Sequence, residues 1–555
     1  MKLITTGNAG TMESNDIMIT VEPSDGGGVQ VDLTSSVYTF EKLIQGDFLY
    51  VDKTEYIWKL IQPAYAQYFL SRPRRFGKSL TVSTLEAIFQ GQKELFKGLA
   101  LYDKPYDWKQ YPIIHLDLGT SDIKSPEQLV TFLLKKLEAI AESLNIALDC
   151  NQTPTAAFED LVRAVGQREK IIILIDEYDK PILDNIANPL VNDILSILRG
   201  FYSVVKGTEA LQRFVFMTGV SKFSHVSVFS NLNNLTDITM EAGFATMLGY
   251  TQEELEYYFG DRIELLVEIN QSSKEEMLRK IKLWYNGYRF EENSQTVYNP
   301  VSLVQFFRNN GKFNNYWFKT GTTRVLLELM KDSNADYVKT LTMPETSSFF
   351  DSFEISTLKP KTLLYQTGYL TIDKCVENPV PYSTETMTSY YLHFPNLEVE
   401  KSFNENLLEY YANFTGKTAQ DAYVNLIRAV GEGNVDSFVK ELNSIFINIP
   451  YAIRNDNEKY YQSICCAIFS MLRLYVQAEV CTNEGRIDLV VQAGDWIYVI
   501  EFKLNKKAEL AIRQIHDKNY TEKYRESGKR LMLVGVNFNS KTGKIEDYVY
   551  EELKE

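Results

Sequence analysis

The chain has 555 residues, a formal net charge of −15, 45% hydrophobic residues and 24% charged ones, the make-up of a soluble globular protein of about three domains. The acidic total argues against non-specific coating of nucleic acid, and a basic surface is expected only toward the C-terminal end, where Lys and Arg outnumber Asp and Glu between Glu501 and Arg530. No run of 18 apolar residues reads as a membrane span, the N-terminal residues lack a signal-peptide core, and the five cysteines have neither metal-type spacing nor the look of a disulfide framework, so a cytoplasmic protein without membrane contact is expected.

Residues 1–37 carry Ser24-Asp25-Gly26-Gly27-Gly28 and few large apolar groups, and read as a flexible tail. Over residues 38–250 strands and helices alternate, which predicts an α/β domain with a parallel sheet covered by helices. Its first signal is Phe69-Leu70-Ser71-Arg72-Pro73-Arg74-Arg75-Phe76-Gly77-Lys78-Ser79-Leu80: a buried strand, a sharp turn, and Gly-Lys-Ser opening a helix over Leu80–Phe89. Backbone N–H groups and a helix N-terminus then converge where a phosphate chain can sit. Arg74, Arg75, Phe76, Gly77, Lys78, Ser79 and Leu80 are the expected nucleotide contacts, with Lys78 on the terminal phosphates and the Ser79 hydroxyl on Mg2+. The first glycine of such a loop is missing, and Arg72 stands in its place.

A strand over Ile113–Leu118 and a helix over Pro126–Leu144 follow. Ile171-Ile172-Ile173-Leu174-Ile175 is a run of large aliphatics suited to a central strand buried on both faces. It ends in Asp176-Glu177-Tyr178-Asp179, at the sheet edge where open α/β folds bind ligands. Asp176 is expected to hold Mg2+ through a water, and Glu177 to orient and polarise an attacking water. A third strand, Arg213–Gly219, carries Thr218 near its end, either a sensor of the terminal phosphate or the cap of a turn.

Residues 251–400 open on the capping box Thr251-Gln252-Glu253-Glu254 and read as mainly helical, with short strands between Leu363 and Val399. Arg289, in the aromatic turn Trp284–Phe290, is either a phosphate contact from across the cleft or a surface or stacking arginine. Residues 401–450 read as a helical linker.

Within residues 451–555, Gly485–Val491 reads as a strand with one acid, Asp488, followed by the turn Ala493-Gly494-Asp495 and the strand Trp496–Lys503. A hairpin of these two brings Asp488 beside Glu501, and Glu501 and Lys503, two apart, share a face. Two close carboxylates repel each other, which a divalent cation relieves. The cation polarises a phosphodiester oxygen and lowers the pKa of a bound water, and the lysine helps position the nucleophile. Glu458, on the helix Asn457–Ile464, and Gln514, on the helix after the second strand, can approach the same hairpin. Glu479 either joins them or is a paired surface acid, and the charged hairpin face itself can be read as simply solvated.

Together these motifs resemble a widespread bacterial family. The Arg-Pro-Arg-Arg-Phe-Gly-Lys-Ser loop, the Ile-Asp-Glu-Tyr-Asp strand end, Thr218–Phe223 and Asn233-Asn234-Leu235 are similar to its AAA-ATPase-like domain. Trp284–Phe290, Tyr298-Asn299-Pro300 and His393–Val399 resemble its middle region, and the part from about 451 resembles the PD-(D/E)XK nuclease superfamily. The resemblance implies a P-loop NTPase domain, a helical and winged-helix-like middle region and a restriction-endonuclease-like C-terminal domain. It implies Asp488, Glu501 and Lys503 as the catalytic set, Glu458 as the helix acid and Gln514 as the following-helix glutamine. ATP and Mg2+ are the expected cofactors and DNA or RNA the expected partner, with a homo-oligomer open. The competing expectation is an ATP-gated switch or docking module without nuclease turnover.

Overall fold

The computed structural model describes residues 31–222, 234–317, 343–350, 359–379, 386–412, 416–447, 449, 457–472, 475–482 and 485–553. The N-terminal sheet is built from β1 (Ala66–Ser71), β2 (Ile113–Asp117), β3 (Ile171–Asp176), β4 (Gln212–Gly219) and β5 (Thr236–Asp237), in the order β2-β3-β4-β1-β5. Every neighbouring pair is parallel. All of β3 is buried, as its aliphatic run demands. Because β4 lies between β1 and β3, the loop after β1 and the acids after β3 stand two strands apart, about 10 Å, at one sheet edge. The helix Lys78–Phe89 packs on β3 and β4, which carries its first residues across that gap. It starts two residues earlier than the sequence suggested, because Gly77, at φ 94°, supplies the left-handed turn just before Lys78.

The middle region holds the helices Gln252–Asn270, Lys274–Tyr285 and Pro300–Arg308. Thr251 and Glu254 form the expected capping box, and Asn299 caps the third helix by accepting from Val301 N and Ser302 N. A helix over Pro360–Gln366 leads into the antiparallel pair β6 (Thr371–Pro379) and β7 (Thr386–His393). The turn Trp284–Phe290 meets the segment His393–Val399 at Gly287: at φ 113°, a Cβ there would lie 1.8 Å from the Pro395 carbonyl oxygen. Asn396 reinforces the contact by donating to the Asn286 carbonyl at 2.9 Å.

Helices Leu397–Ala412, Gly416–Gly431 and Val435–Phe446 lead to the C-terminal sheet. It comprises β8 (Tyr475–Cys481), β9 (Arg486–Ala493), β10 (Trp496–Leu504), β11 (Arg530–Asn539) and β12 (Lys544–Leu553), ordered β12-β11-β10-β9-β8. β8, β9 and β10 run antiparallel, whereas β10 and β11 are parallel and joined through the helix Ala508–Asp517. The sheet is therefore mixed. Strand alternation gives it two apolar faces: Tyr498, Ile500 and Phe502 join the large core with residues of the helix Glu458–Met471, and Ile497 and Val499 pack with Ile512 and Ile515. The large core runs without a break from Phe40 to Ile545, so the two sheets are bridged by packed side chains. Among the described residues, no helix is long and apolar enough to cross a membrane.

Candidate nucleotide and nuclease sites

The loop between β1 and the helix Lys78–Phe89 brings its lysine close to the acids at the end of β3. Lys78 is buried, and its Nζ donates to the Arg72 and Pro73 carbonyls at 3.0 and 3.1 Å, closing the loop on itself. Burial lowers its pKa, and the nearby charges of Glu177, Asp176 and Asp179 oppose that shift. Burial raises the pKa of Asp176, against the hydrogen bond from the Ser79 side chain and the charge of Lys78. Asp176 Oδ1 also accepts from Glu177 N at 2.9 Å. Glu177 itself sits at φ 50°, a strained conformation for a residue with a side chain. Lys78, Ser79, Asp176 and Glu177 are thus gathered at one sheet edge.

Several of the other expected contacts already have partners within the protein. The Thr218 hydroxyl is fully buried and donates to the Leu70 carbonyl at 2.7 Å, so it ties β4 to β1 and does not face the phosphate loop. The Phe76 ring packs edge-on against Tyr288 and Phe290 at 4.7 and 5.2 Å, leaving only its backbone for a phosphate. Arg75 donates to the Tyr316 carbonyl at 2.7 Å, and Leu80 packs on the core. Arg74 is half-buried, and its charge adds to the lowering of the Lys78 pKa. Arg289 is held by β6, donating from its guanidinium to the Asp373 carbonyl at 2.6 Å, so the trans-domain phosphate reading does not hold in this conformation. Arg72, in the place of the missing glycine, is 1% exposed and points away from the loop's mouth. Its guanidinium donates to the Ser71, Thr239 and Phe244 carbonyls and lies 4.2 Å from the centre of the Phe290 ring. Asp179, the last acid of the strand tip, is also buried and accepts from Val220 N and Ser221 N at 3.1 and 2.6 Å, latching the end of β4.

The second cluster lies on the C-terminal hairpin. A two-residue turn, Gly494-Asp495 with Gly494 at φ 56°, sets the register of β9 against β10. Ile500 pairs with Leu489, and the next step along the ladder puts Glu501 opposite Asp488. There the Asp488 side chain takes over from the backbone, accepting from Phe502 N at 2.8 Å. Glu501 is 2% exposed; its Oε1 accepts from Lys503 Nζ at 3.1 Å and from the Gln514 amide, while its Oε2 is buried with no hydrogen-bond partner among the described residues. Burial is the main cause that raises both acids, Asp488 to about 6 and Glu501 to about 8, with the neighbouring acid adding to the Glu501 shift and Lys503 opposing both.

An orphaned carboxylate oxygen beside a second carboxylate is a donor set suited to a divalent cation. Asp488 and Glu501 fit that role. Glu458 is not gathered with them: it raises the Asp488 pKa through its charge, but no group of three His, Cys, Asp or Glu side chains converges on one point among the described residues. Glu479 sits at φ 53° in β8 and pairs with Arg486 at 2.9 Å, but its side chain is largely buried and its charge helps to raise the Asp488 pKa, so it is a paired acid beside the hairpin and not a surface one.

Gln462 was not singled out by the sequence reading. Gln462, 2% exposed, donates from Nε2 to Glu479 Oε1 at 3.1 Å and to the Asp488 carbonyl at 2.8 Å, bracing the hairpin from behind. Its signal was present: a polar residue four after Glu458, flanked by Tyr461 and Ile464 on a helix that buries its face.

The raised acids carry a pH dependence. Free carboxylates titrate near 4 when unfolded, so both groups are more basic in the folded, metal-free protein. Their contribution to stability is therefore full below about pH 4 and is lost as pH rises through about 6 and about 8. The metal-free protein is expected to melt at a lower temperature at pH 8.5 than at pH 5.5, with Glu501→Gln removing most of the difference in calorimetry. A divalent cation held by these two carboxylates would need them deprotonated, so any such affinity is expected to rise over the same interval.

Comparison with known proteins gives the geometry its context. Residues 35–229 match the model of a predicted AAA-ATPase, and residues 456–548 that of the PD-(D/E)XK nuclease superfamily. An uncharacterized protein in the vnfD 5′ region of Azotobacter chroococcum mcd 1 is 35% identical over 539 residues, covering 94% of this chain and 99% of the relative. The chain belongs to this AAA-ATPase-like family with a C-terminal PD-(D/E)XK domain. Both clusters fall inside the matched domains, the loop and strand tip in the first and the hairpin in the second.

A third similarity lies at the N-terminus. Residues 4–50 match a model described as the malonate decarboxylase delta subunit, an acyl carrier protein. A stretch of 37 residues is 60% identical to the citrate lyase acyl carrier protein of Fusobacterium nucleatum, 7% of this chain and 39% of that protein. The expected flexible tail falls largely on the same stretch, and residues 1–30 lie outside the described ones.

Proposed function

We propose that the protein binds and hydrolyses ATP at the loop Arg72–Leu80 and cleaves phosphodiester bonds of DNA at the Asp488–Glu501–Lys503 hairpin, with the first event controlling the second. At the nucleotide site, Lys78 exchanges the carbonyls of Arg72 and Pro73 for the terminal phosphates, the loop amides and helix N-terminus cradle the chain, and Glu177 orients the attacking water. A divalent cation, held by Ser79 and Asp176 at one site and by Asp488 and Glu501 at the other, supplies charge neutralisation and a more acidic bound water. At the hairpin, Gln514 and Lys503 hold Glu501 by Oε1 and leave Oε2 free for that ligation, and Lys503 positions the nucleophile.

The observation that supports the nuclease reading is the buried Glu501 Oε2, which has no hydrogen-bond partner among the described residues, on a carboxylate whose pKa the charge of Asp488 helps to raise; such an orphan is costly unless a ligand answers it. Supercoiled plasmid incubated with the full chain is expected to be nicked or linearised with Mg2+ and ATP, and to stay intact with EDTA. An intact plasmid under all conditions, with ATP still hydrolysed, would favour the ATP-gated switch.

A further inference from the structure

Glu398 sits at the second position of the helix Leu397–Ala412, far in sequence from the phosphate loop, yet fully buried. Its Oε1 accepts from Tyr316 N at 2.6 Å and Trp317 N at 2.9 Å, and its Oε2 accepts from the Ser302 hydroxyl at 2.7 Å. Ser302 is itself fixed, its amide donating to the Asn299 side chain that caps the helix Pro300–Arg308. Three donors from two segments therefore converge on one carboxylate, which offsets the cost of its burial. With its N–H directed at Glu398, the Tyr316 residue presents its carbonyl to the phosphate loop, where Arg75 Nη1 donates to it at 2.7 Å. Arg75 is at φ 67°, two residues before Gly77, so its side chain leaves the loop toward the middle region, not along the strand. The charges of Arg75 and Glu398 are close enough for the arginine to favour the ionised carboxylate, although burial raises its pKa overall.

We propose that Glu398 is a positioning residue of the nucleotide site, acting through the Tyr316–Trp317 backbone to hold the Arg75 guanidinium where its remaining donors meet the phosphates. The inference rests on the ATP reading above and adds a residue that lies outside both matched domains. A guanidinium has five N–H donors in a rigid fork, and one carbonyl fixes a single edge of it. The rest of the fork suits phosphate oxygens, and the aim of the fork depends on where the carbonyl stands. Without Glu398 the Tyr316 peptide is free to turn, and Arg75 loses its anchor.

The test is calorimetric titration of the full chain with ATP and Mg2+. Glu398→Ala is expected to weaken ATP binding about ten-fold, the loss of one well-aimed charge-assisted contact. Arg75→Ala should weaken it by a similar factor, and the double variant should be no weaker than Arg75→Ala alone, because both changes act on the same contact. Glu398→Gln should restore binding close to that of the unaltered chain, since its Oε1 can accept both amides and its Nε2 can donate to Ser302. Should Glu398→Ala not fold, Glu398→Asp carries the same cycle: it keeps the charge but withdraws the carboxylate by one methylene. Unchanged ATP affinity, or effects of Arg75 and Glu398 that simply add, would overturn the inference. An unaltered chain that binds no ATP would instead overturn the nucleotide reading on which it stands.

Discussion

Asp488→Ala is expected to abolish DNA cleavage, by about a thousand-fold or more, while leaving ATP binding untouched. The asymmetry follows from position. Asp488 and Glu501 lie one step beyond Leu489 and Ile500, the last paired residues of the β9–β10 ladder, and among the described residues the charged side chain bonded to Glu501 is that of Lys503. Removing Asp488 takes away half of the carboxylate pair. The structural cost is small: the side chain accepts one hydrogen bond, from Phe502 N, worth about 1 kcal/mol. Relief of the repulsion that raises the Glu501 pKa offsets part of even that. Gel assays of plasmid cleavage beside thermal melts separate the two effects. Cleavage surviving at an undiminished rate in a folded Asp488→Ala protein would remove the hairpin from the chemistry, and a failure to melt cooperatively would show that Asp488 is needed for the fold instead. Glu501→Gln should behave alike, since a neutral amide lacks the negative charge with which the carboxylate would hold the cation, whereas Gln514→Ala should cost far less because it only steadies Glu501.

Which residues could be read from the sequence was decided by locality. The aliphatic run of β3 announces a buried parallel strand because every one of its side chains must be covered, and it is. The hairpin is legible because the short turn around Gly494 leaves little choice of register, and continuing the register one step past Leu489 and Ile500 sets Asp488 opposite Glu501. The residues that stayed hidden answer to partners remote in the chain. Arg72 is stabilised by the carbonyls of Thr239 and Phe244 and by the Phe290 ring, none of them inferable from the loop itself. Thr218 looks like a sensor from its place at a strand end, but the parallel neighbour β1 supplies Leu70 O and captures its hydroxyl. Glu398 reads as an ordinary acid in a helix's first turn, and only the folded chain reveals that Tyr316, Trp317 and Ser302 close around it. Glu458 fails in the opposite way: its helix is where the sequence placed it, but nothing local fixes how far its carboxylate stands from the hairpin.

Lys78→Ala is expected to remove ATP binding at concentrations that saturate the unaltered chain, a loss of about a hundred-fold or more in affinity. In the nucleotide-free loop the ammonium is already stripped of water, held by two backbone carbonyls, and surrounded by Asp176, Glu177 and Asp179. Much of the desolvation that a phosphate-binding cation must undergo has therefore been met during folding, so that exchanging neutral carbonyls for phosphate oxygens gains charge-assisted bonds with little new cost. Alanine forfeits that gain and also leaves the acids at the sheet edge without their nearest cation, which repels the incoming triphosphate. The measurement is the ATP-induced rise in melting stability. At a ligand concentration of one hundred times Kd the unaltered chain should gain about 2.7 kcal/mol, and Lys78→Ala at the same concentration well under 1 kcal/mol. The nucleotide-free variant should melt somewhat lower than the parent, because the raised pKa of Asp176 is held down in part by the lysine's charge. A Lys78→Ala protein that keeps the full ATP-dependent shift would show that the triphosphate is held elsewhere, and that the lysine's bonds to Arg72 and Pro73 serve the loop's shape alone.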